Sequence, residues 1–427
     1  MNPEEIGMSQ TMTIIDNAKS YRRLYSGIFL LAEAIAIFFL LRGTLGMTST
    51  FVMTSRRAGV DITAPDLVIP TWSAIFIVGI LTALAGFWQV IRGFKRHTTA
   101  VLVTMISLGL LVFLIWAARG NSLNLTGMLA SSVISATPIA LAALCGIYSE
   151  RSGVVNIGIE GMLLMGAFVS VVIASVTQNV YFGFLIGSLS GVALAALHAV
   201  LSIRYRVNQI VSGTGIIILS LGLTSYFYRA FLIPYPNLNS PGPILSSLPI
   251  PLLWRIPVLG PILFNQSPVI YVLFVLIIFT HFFYNYTKWG LRIRSVGENP
   301  KAADTLGINV FSLRYISVLI SGAIAGLAGA YMSIGSIGFF NEGMSAGKGF
   351  LGLAAMIFGN WNPGGAFLGS FIFGFFDSWQ DKLAILQVGI PSEFLQMAPY
   401  IATMVVLAGF IGRSRMPASD GTPYKKE

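Results

Sequence analysis

Val101-Leu-Val-Thr-Met-Ile-Ser-Leu-Gly-Leu-Leu-Val-Phe-Leu-Ile-Trp-Ala117 contains no charged residue. Its apolar residues run on without the regular apolar–polar alternation of a barrel strand. In lipid the backbone must satisfy its own polar groups, so only helices and closed barrels span. The stretch therefore reads as a transmembrane helix, and the rest of the chain repeats the pattern. A crossing needs about 20 mainly apolar residues. Twelve stretches meet or approach this: 24–41, 67–91, 98–118, 126–147, 157–177, 181–203, 209–232, 268–286, 314–334, 345–359, 363–380 and 397–412. The stretch 345–359 is short enough to be re-entrant instead of spanning. The expected fold is an all-α polytopic membrane protein with about twelve (ten to twelve) transmembrane helices.

Composition agrees. Of 427 residues, 55% are hydrophobic and 10% charged, with a mean hydropathy of +0.79. A soluble domain carries about 25% charged residues, so this chain cannot coat a water-exposed globule. The net charge of +10 would suggest nucleic acid in a soluble protein; here membrane topology accounts for it, and no nucleic-acid partner is expected. The single cysteine, Cys145, excludes a disulfide framework and a multi-cysteine metal site. It lies in an apolar run and reads as a small core residue. Met1–Ser20 is polar, and the apolar run Leu24–Leu41 exceeds a signal-peptide core of about 7–15 residues, so it reads as a retained helix.

Basic residues set the orientation. With the N-terminus in the cytoplasm, inner segments hold 18 of the 26 Lys and Arg, among them Arg92, Lys95, Arg96, Arg204, Arg206, Lys288, Arg292 and Arg294. Outer segments hold seven, including Arg42, Arg56 and Arg57, and Arg229 falls inside a span. Both termini are expected in the cytoplasm. Pro234–Pro268 is proline-rich and should be an outer loop without long helices. Thr287–Leu313 is the longest inner loop. Within it, Asn299 suits a helix cap, Pro300 a first turn and Gly307 a C-terminal stop.

The first motif is Tyr148-Ser-Glu-Arg-Ser-Gly-Val-Val-Asn-Ile-Gly-Ile-Glu-Gly-Met-Leu-Leu-Met-Gly-Ala167. Gly158, Gly161 and Gly166 thin one helix side and permit close approach of a neighbour. Glu160 follows Asn156 by four residues, a spacing that puts both on one helix face. An acid about a turn into a span is a functional candidate by default. Glu160 either serves the pathway, or it pairs with Arg151 near the interface or caps a neighbouring helix. Asn156, Gly158, Glu160 and Gly161 are the candidate pathway residues. Glu33, Arg229, His198 and Asp377 also lie in spans, and pairing or snorkelling explains each before a pathway role does. Tyr226-Phe-Tyr-Arg-Ala-Phe231 reads as an aromatic belt whose ring faces also suit a stacked base.

The second motif is Gly290-Leu-Arg-Ile-Arg-Ser-Val-Gly-Glu-Asn-Pro-Lys-Ala-Ala-Asp-Thr-Leu-Gly-Ile-Asn309. Together the two motifs resemble the permeases of nucleoside and simple-sugar ABC importers, within the superfamily that includes ribose and branched-chain amino-acid permeases. The resemblance covers about residues 124–415. It implies an ABC permease core over 121–415, preceded by a three-span extension over 1–120 and followed by a cytoplasmic tail over 416–427. Ala302-Ala303-x-x-x-Gly307 is similar to the ATPase-docking core of such permeases, so Glu298, Asn299, Pro300, Ala302, Ala303 and Gly307 are the implied coupling residues. The first motif looks most like one of two non-identical permeases, which implies a heterodimeric pore, a separate P-loop ATPase and an outer substrate-binding lipoprotein. A nucleoside is the implied substrate, with a simple sugar as alternative. The third motif, Phe358-Gly-Asn-Trp-Asn-Pro-Gly-Gly-Ala366, is a turn between two short apolar segments. It either lines a cavity or forms a tight interfacial turn anchored by Trp361.

No Gly-x-x-x-x-Gly-Lys-Ser/Thr occurs, so the chain binds no ATP in a P-loop of its own. There is no His-Glu-x-x-His and no Gly-x-Ser-x-Gly, which leaves a membrane enzyme the least supported class. No metal or cofactor is expected. An ion-coupled secondary transporter is the alternative; it has no need of a docking helix and normally shows paired broken helices.

Overall fold

The computed structural model describes residues 3–57, 60–62, 64–386, 391, 393–394, 397, 400 and 415–426, the side chains before residue 21 and those of 55–57 and 60–62 excepted. The expected span 397–412 lies outside the described residues, apart from 397 and 400. Thirteen α-helices are described: α1 Pro3–Phe39, α2 Thr71–Ile91, α3 Thr98–Ala117, α4 Leu125–Glu150, α5 Ile159–Thr177, α6 Val180–Ala199, α7 Gln209–Phe227, α8 Pro268–Tyr286, α9 Lys288–Glu298, α10 Pro300–Thr305, α11 Val310–Ala330, α12 Lys348–Phe358 and α13 Pro363–Ile385. Wider π-helical turns extend α6 to Arg204, α7 to Leu232 and α11 to Ile337. Among the described residues, eight helices are long and apolar enough to cross a membrane: α2 to α8 and α11, with their extensions. The chain is an all-α polytopic membrane protein.

The chain divides into two compact units. One comprises 1–55, 61–126 and 382–390; the other comprises 56–60, 127–381 and 391–427. In the first unit, α1 lies on α2 where glycines permit contact: a methyl group added at Gly86 would stand 3.0 Å from the Leu31 backbone nitrogen. Gln89 fastens one end of the pair, donating to Ser26 Oγ at 2.8 Å and accepting from the Phe94 N–H at 2.8 Å. Glu33 of α1 lies directly over Gly109 of α3, where the missing side chain leaves it room. A small sheet caps the other end. Strand β1 (Thr48–Val52) pairs antiparallel with β2 (Leu67–Pro70) and parallel with β3 (Ser122–Asn124). This corrects the second expected span: residues 67–70 pair as a strand, and the helix begins at Thr71.

In the second unit, α4 and α5 form the enclosed centre. Of their most apolar 18 residues, 78% and 72% are buried, against 28% for α7 and for α8. Glycines decide how α5, α6 and α11 meet. A methyl at Gly166 would stand 2.5 Å from the Gly326 carbonyl oxygen, and Gly191 and Gly329 press equally close on Gly322 and Leu163. Such backbone proximity builds van der Waals contact where lipid offers no hydrophobic drive between helices. Between 233 and 267 the chain forms only short turns and the two-residue ribbon Leu248–Pro249 with Asn265–Gln266, as the proline content requires.

Candidate functional site

The first motif is not one continuous helix. Helix α4 ends at Glu150 and α5 starts at Ile159. Asn156 lies in the irregular segment between them, so it shares no helix face with Glu160; the four-residue spacing is interrupted by a turn. The segment threads through the interior and side chains satisfy its backbone, as burial demands. Ser149 Oγ donates to the Val154 carbonyl at 2.6 Å, and the Val155 N–H donates to Gln209 Oε1 at 2.6 Å. His198 Nε2 lies 2.9 Å from the Val155 carbonyl and Nδ1 3.0 Å from Ser212 Oγ. Asn156 Nδ2 donates to Ser321 Oγ at 3.1 Å, and that hydroxyl is also hydrogen-bonded to Cys145 Sγ at 2.9 Å. Cys145 is a buried core residue. Asn156 Oδ1 and Ser220 Oγ are buried without a partner among the described residues. They flank Gly158 and Gly161, which lie against Gly213 and Ile216–Ile217 of α7.

Glu160 acts on a helix 187 residues away in sequence. One carboxylate oxygen accepts the Gly347 N–H at 2.9 Å and the other the Gly349 N–H at 2.7 Å. It thereby caps the N-terminus of α12, where unsatisfied N–H groups and the helix dipole favour a negative charge. Of the alternatives open in the sequence, the helix-capping one describes its contacts. Gly349 has no side chain because Glu160 occupies that space.

The segment that enters α12 is irregular. Residues 338–347 form no regular helix, and Gly338, Gly343, Ala346 and Gly347 take positive φ. With 11 residues, α12 is too short to cross a bilayer, which takes about 20. Lys348 at its start pairs with Asp377 of α13 at 3.1 Å. At its far end Gly359 contacts the backbone of Gly365 and Ala366, so the third motif is a tight turn. Trp361 is 5% exposed and faces inward. Its indole N–H donates to Glu150 Oε2 at 2.7 Å, and its carbonyl accepts from Arg151 Nε and Nη2 at 2.9 and 2.7 Å. The Arg151 guanidinium also lies 5.4 Å from the Tyr284 ring centre. Arg151 therefore holds the turn and leaves Glu160 to α12.

The second motif folds as its residues suggest. Asn299 Oδ1 accepts the Ala302 N–H at 3.1 Å, Pro300 opens α10, and Gly307 follows it with φ +77°. Ala303 is buried, whereas Ala302 and Gly307 are exposed. Leu306, one residue before Gly307, is 80% exposed at the tip. Gly297 presses on the Arg151 backbone and brings the first two motifs together.

At the other end of α7, Arg229 pairs with Glu342 at 2.9 Å beside an open cleft of about 550 Å³ lined by Ser225, Tyr226, Arg229, Ala230 and Glu342. Arg229, His198 and Asp377 thus all have partners.

Comparison with known proteins gives the family of the chain. Residues 128–412 match the family described as the branched-chain amino acid transport system permease component. The nucleoside ABC transporter permease NupC of Lactococcus lactis subsp. cremoris (strain MG1363) is 41% identical over 313 residues, 70% of this chain and 96% of the relative. The guanosine ABC transporter permease NupQ of Bacillus subtilis (strain 168) is 40% identical over 311 residues, 69% of this chain and 95% of the relative. The putative glucose ABC transporter permease TsgC13 of Haloferax volcanii is 33% identical, covering 66% of this chain and 91% of the relative. The same L. lactis and B. subtilis strains each supply a more distant second match, NupB at 23% and NupP at 26% identity. No solved structure matches the chain. Residues 128–412, with their capped loop helix and multi-pass helical core, belong to the permease family of ABC importers, and the protein is a multi-pass transport component of the plasma membrane, not an enzyme.

Proposed function

We propose that this permease moves nucleosides delivered by an extracytoplasmic binding lipoprotein, driven by a separate P-loop ATPase. The observation that carries the reading is the 41% identity over nearly the whole of a nucleoside permease. The pore is a heterodimer with a second permease; the existence of two matching permeases in each of two bacteria supports this. Twelve crossings with both termini in the cytoplasm fit the distribution of Lys and Arg. Residues 1–120 are a three-span extension, 121–415 the permease core and 416–427 a cytoplasmic tail.

Helix α10, from its cap Asn299 to Gly307 and with Glu298 before it, is the ATPase contact. Its exposed Ala302, Leu306 and Gly307 support this, since a docking helix needs an apolar tip that reaches a partner. Ala303 supports the helix from beneath. Asn156, Gly158, Glu160 and Gly161 shape the pathway wall. Two buried polar atoms without partners lie there, and such groups mark places that polar solute or water reaches in another state. Residues 338–347 form the irregular half of a broken crossing, tolerated at membrane depth where it lines a cavity. Alternating access follows from the differential affinity of ATP for the closed state.

The test is uptake by proteoliposomes containing both permeases, the ATPase and the binding protein. Labelled guanosine or adenosine should accumulate with ATP inside the vesicles. A complex that accumulates a free sugar and no nucleoside would refute the substrate assignment; the 33% identity to a putative glucose permease makes sugar the second reading.

A further inference from the structure

Residues Arg415–Lys426 form no helix or strand, yet they are fastened along their length. The Arg415 N–H donates to Asn360 Oδ1, in the turn after α12, at 2.8 Å. The Ser419 N–H donates to the Gly297 carbonyl at 2.8 Å and its Oγ to the Glu298 carbonyl at 3.0 Å, both at the end of α9. Arg314 Nη1 of α11 donates to the Thr422 carbonyl at 3.1 Å. The Tyr424 ring is buried 5.4 Å from that of Phe311, and Lys426 Nζ pairs with Asp304 Oδ1 of α10 at 3.3 Å. Asp420 is 8% exposed. A merely solvated polar tail would bury neither a carboxyl nor a tyrosine, because each loses water on burial.

The anchor points fall on two parts of the machinery. Gly297, Glu298 and Asp304 belong to the end of α9 and to α10; Asn360 belongs to the turn that joins α12 to α13. Trp361 in that turn is already held by Glu150 and Arg151, and the opposite end of α12 is gripped by Glu160. We propose that Arg415–Lys426 is a strap that positions the coupling helix and carries its displacement to α12 and hence to the irregular segment 338–347. The strap moves with α10 as one body. This rests on the reading of α10 as the ATPase contact. A strand without regular structure transmits displacement only where it is pinned at both ends, and here the pins are backbone hydrogen bonds, a buried ring and an ion pair.

The experiment uses the complete importer in proteoliposomes and measures solute moved per ATP hydrolysed. Tyr424→Ala, Lys426→Glu and a truncation after Ser414 should leave the ATPase bound and basal hydrolysis intact while lowering that ratio about five-fold or more, within the usual range of coupling energies. Tyr424→Phe, which keeps the ring, should restore it. Parent-like ratios in the two point variants overturn the proposal, whatever the truncation does to assembly. Leu306→Asp is the parallel control for the coupling reading. If it abolishes ATPase stimulation while strap variants behave as the parent, the strap alone fails; if neither has an effect, the coupling reading fails as well.

Discussion

Replacing Glu160 by Gln tests the most specific contact in the core. Glu160 is 7% exposed and accepts two backbone N–H bonds at 2.9 and 2.7 Å. Gln keeps one acceptor but turns an amide N–H₂ toward the other backbone donor. One charge-assisted hydrogen bond is lost, worth about 1.5–3 kcal/mol, and a buried donor is left unsatisfied. The favourable charge at the helix start also disappears, worth about 0.3–1 kcal/mol and up to about 2 when buried. The expected cost is therefore roughly 2–5 kcal/mol, concentrated at the start of α12. Glu160→Asp retains the charge but is one methylene shorter, so it should recover only part. The assay is hydrogen exchange of residues 345–352 in detergent or nanodiscs, with a thermal melt of the same samples. Gln should accelerate exchange in that segment far more than in α5, which packs through Gly161 and Gly166. Unchanged exchange at Gly347 to Gly352 together with an unchanged melt would refute the capping argument, because a backbone N–H held away from water cannot lose its acceptor without cost.

Ala302→Asp and Ala303→Asp should separate docking from folding. The exposed Ala302→Asp should abolish ATPase stimulation while the protein melts as the parent does, whereas the buried Ala303→Asp should lower stability by several kcal/mol, as an unpaired buried charge does (about 3 or more); melting curves paired with ATPase assays distinguish them. Trp361→Phe keeps an aromatic ring but is smaller and leaves Glu150 Oε2 without its indole donor, so a loss of at least about 1–3 kcal/mol is expected by melting. Burial pushes the Asp420 carboxyl up to about 7. Its folded pKa exceeds the unfolded one, so the folded tail holds more protons, and strap stability falls as pH rises from about 4 to about 7. Protection of 415–426 from hydrogen exchange, taken relative to the intrinsic exchange rate at each pH, should thus fall across that window beside Glu150 and Arg314, and Asp420→Asn should flatten the trend; an identical trend in the Asn variant would exclude Asp420 as its source.

Most of the membrane architecture was legible from local pattern, because the requirement that lipid-exposed backbone bond to itself leaves a long apolar run little choice but a helix. The capped helix α10 was equally legible: Asn299, Pro300 and Gly307 act within one or two turns of themselves. The sheet Thr48–Val52 with Leu67–Pro70 and Ser122–Asn124 was not, since apolar residues beside a span look like the span. The spacing of Asn156 and Glu160 misled for a related reason: periodicity assumes an unbroken helix, and the interruption at 151–158 is stabilised by Gln209, His198 and Ser321 from remote helices.

Local sequence dictates a polytopic, mainly helical membrane chain with an exposed, capped loop helix, because those properties depend on residues close together in the chain. Tertiary structure alone decided what Glu160 does, where Trp361 points and that residues 415–426 are fastened. Glu160 meets Gly347 and Gly349, Trp361 meets Glu150 and Arg151, and Ser419 meets Gly297 across separations of 122 to 211 residues. A charge, an indole or a serine carries no mark of its distant partner. The partner is chosen when glycine-lined helices close to backbone contact and the few polar groups inside must find one another.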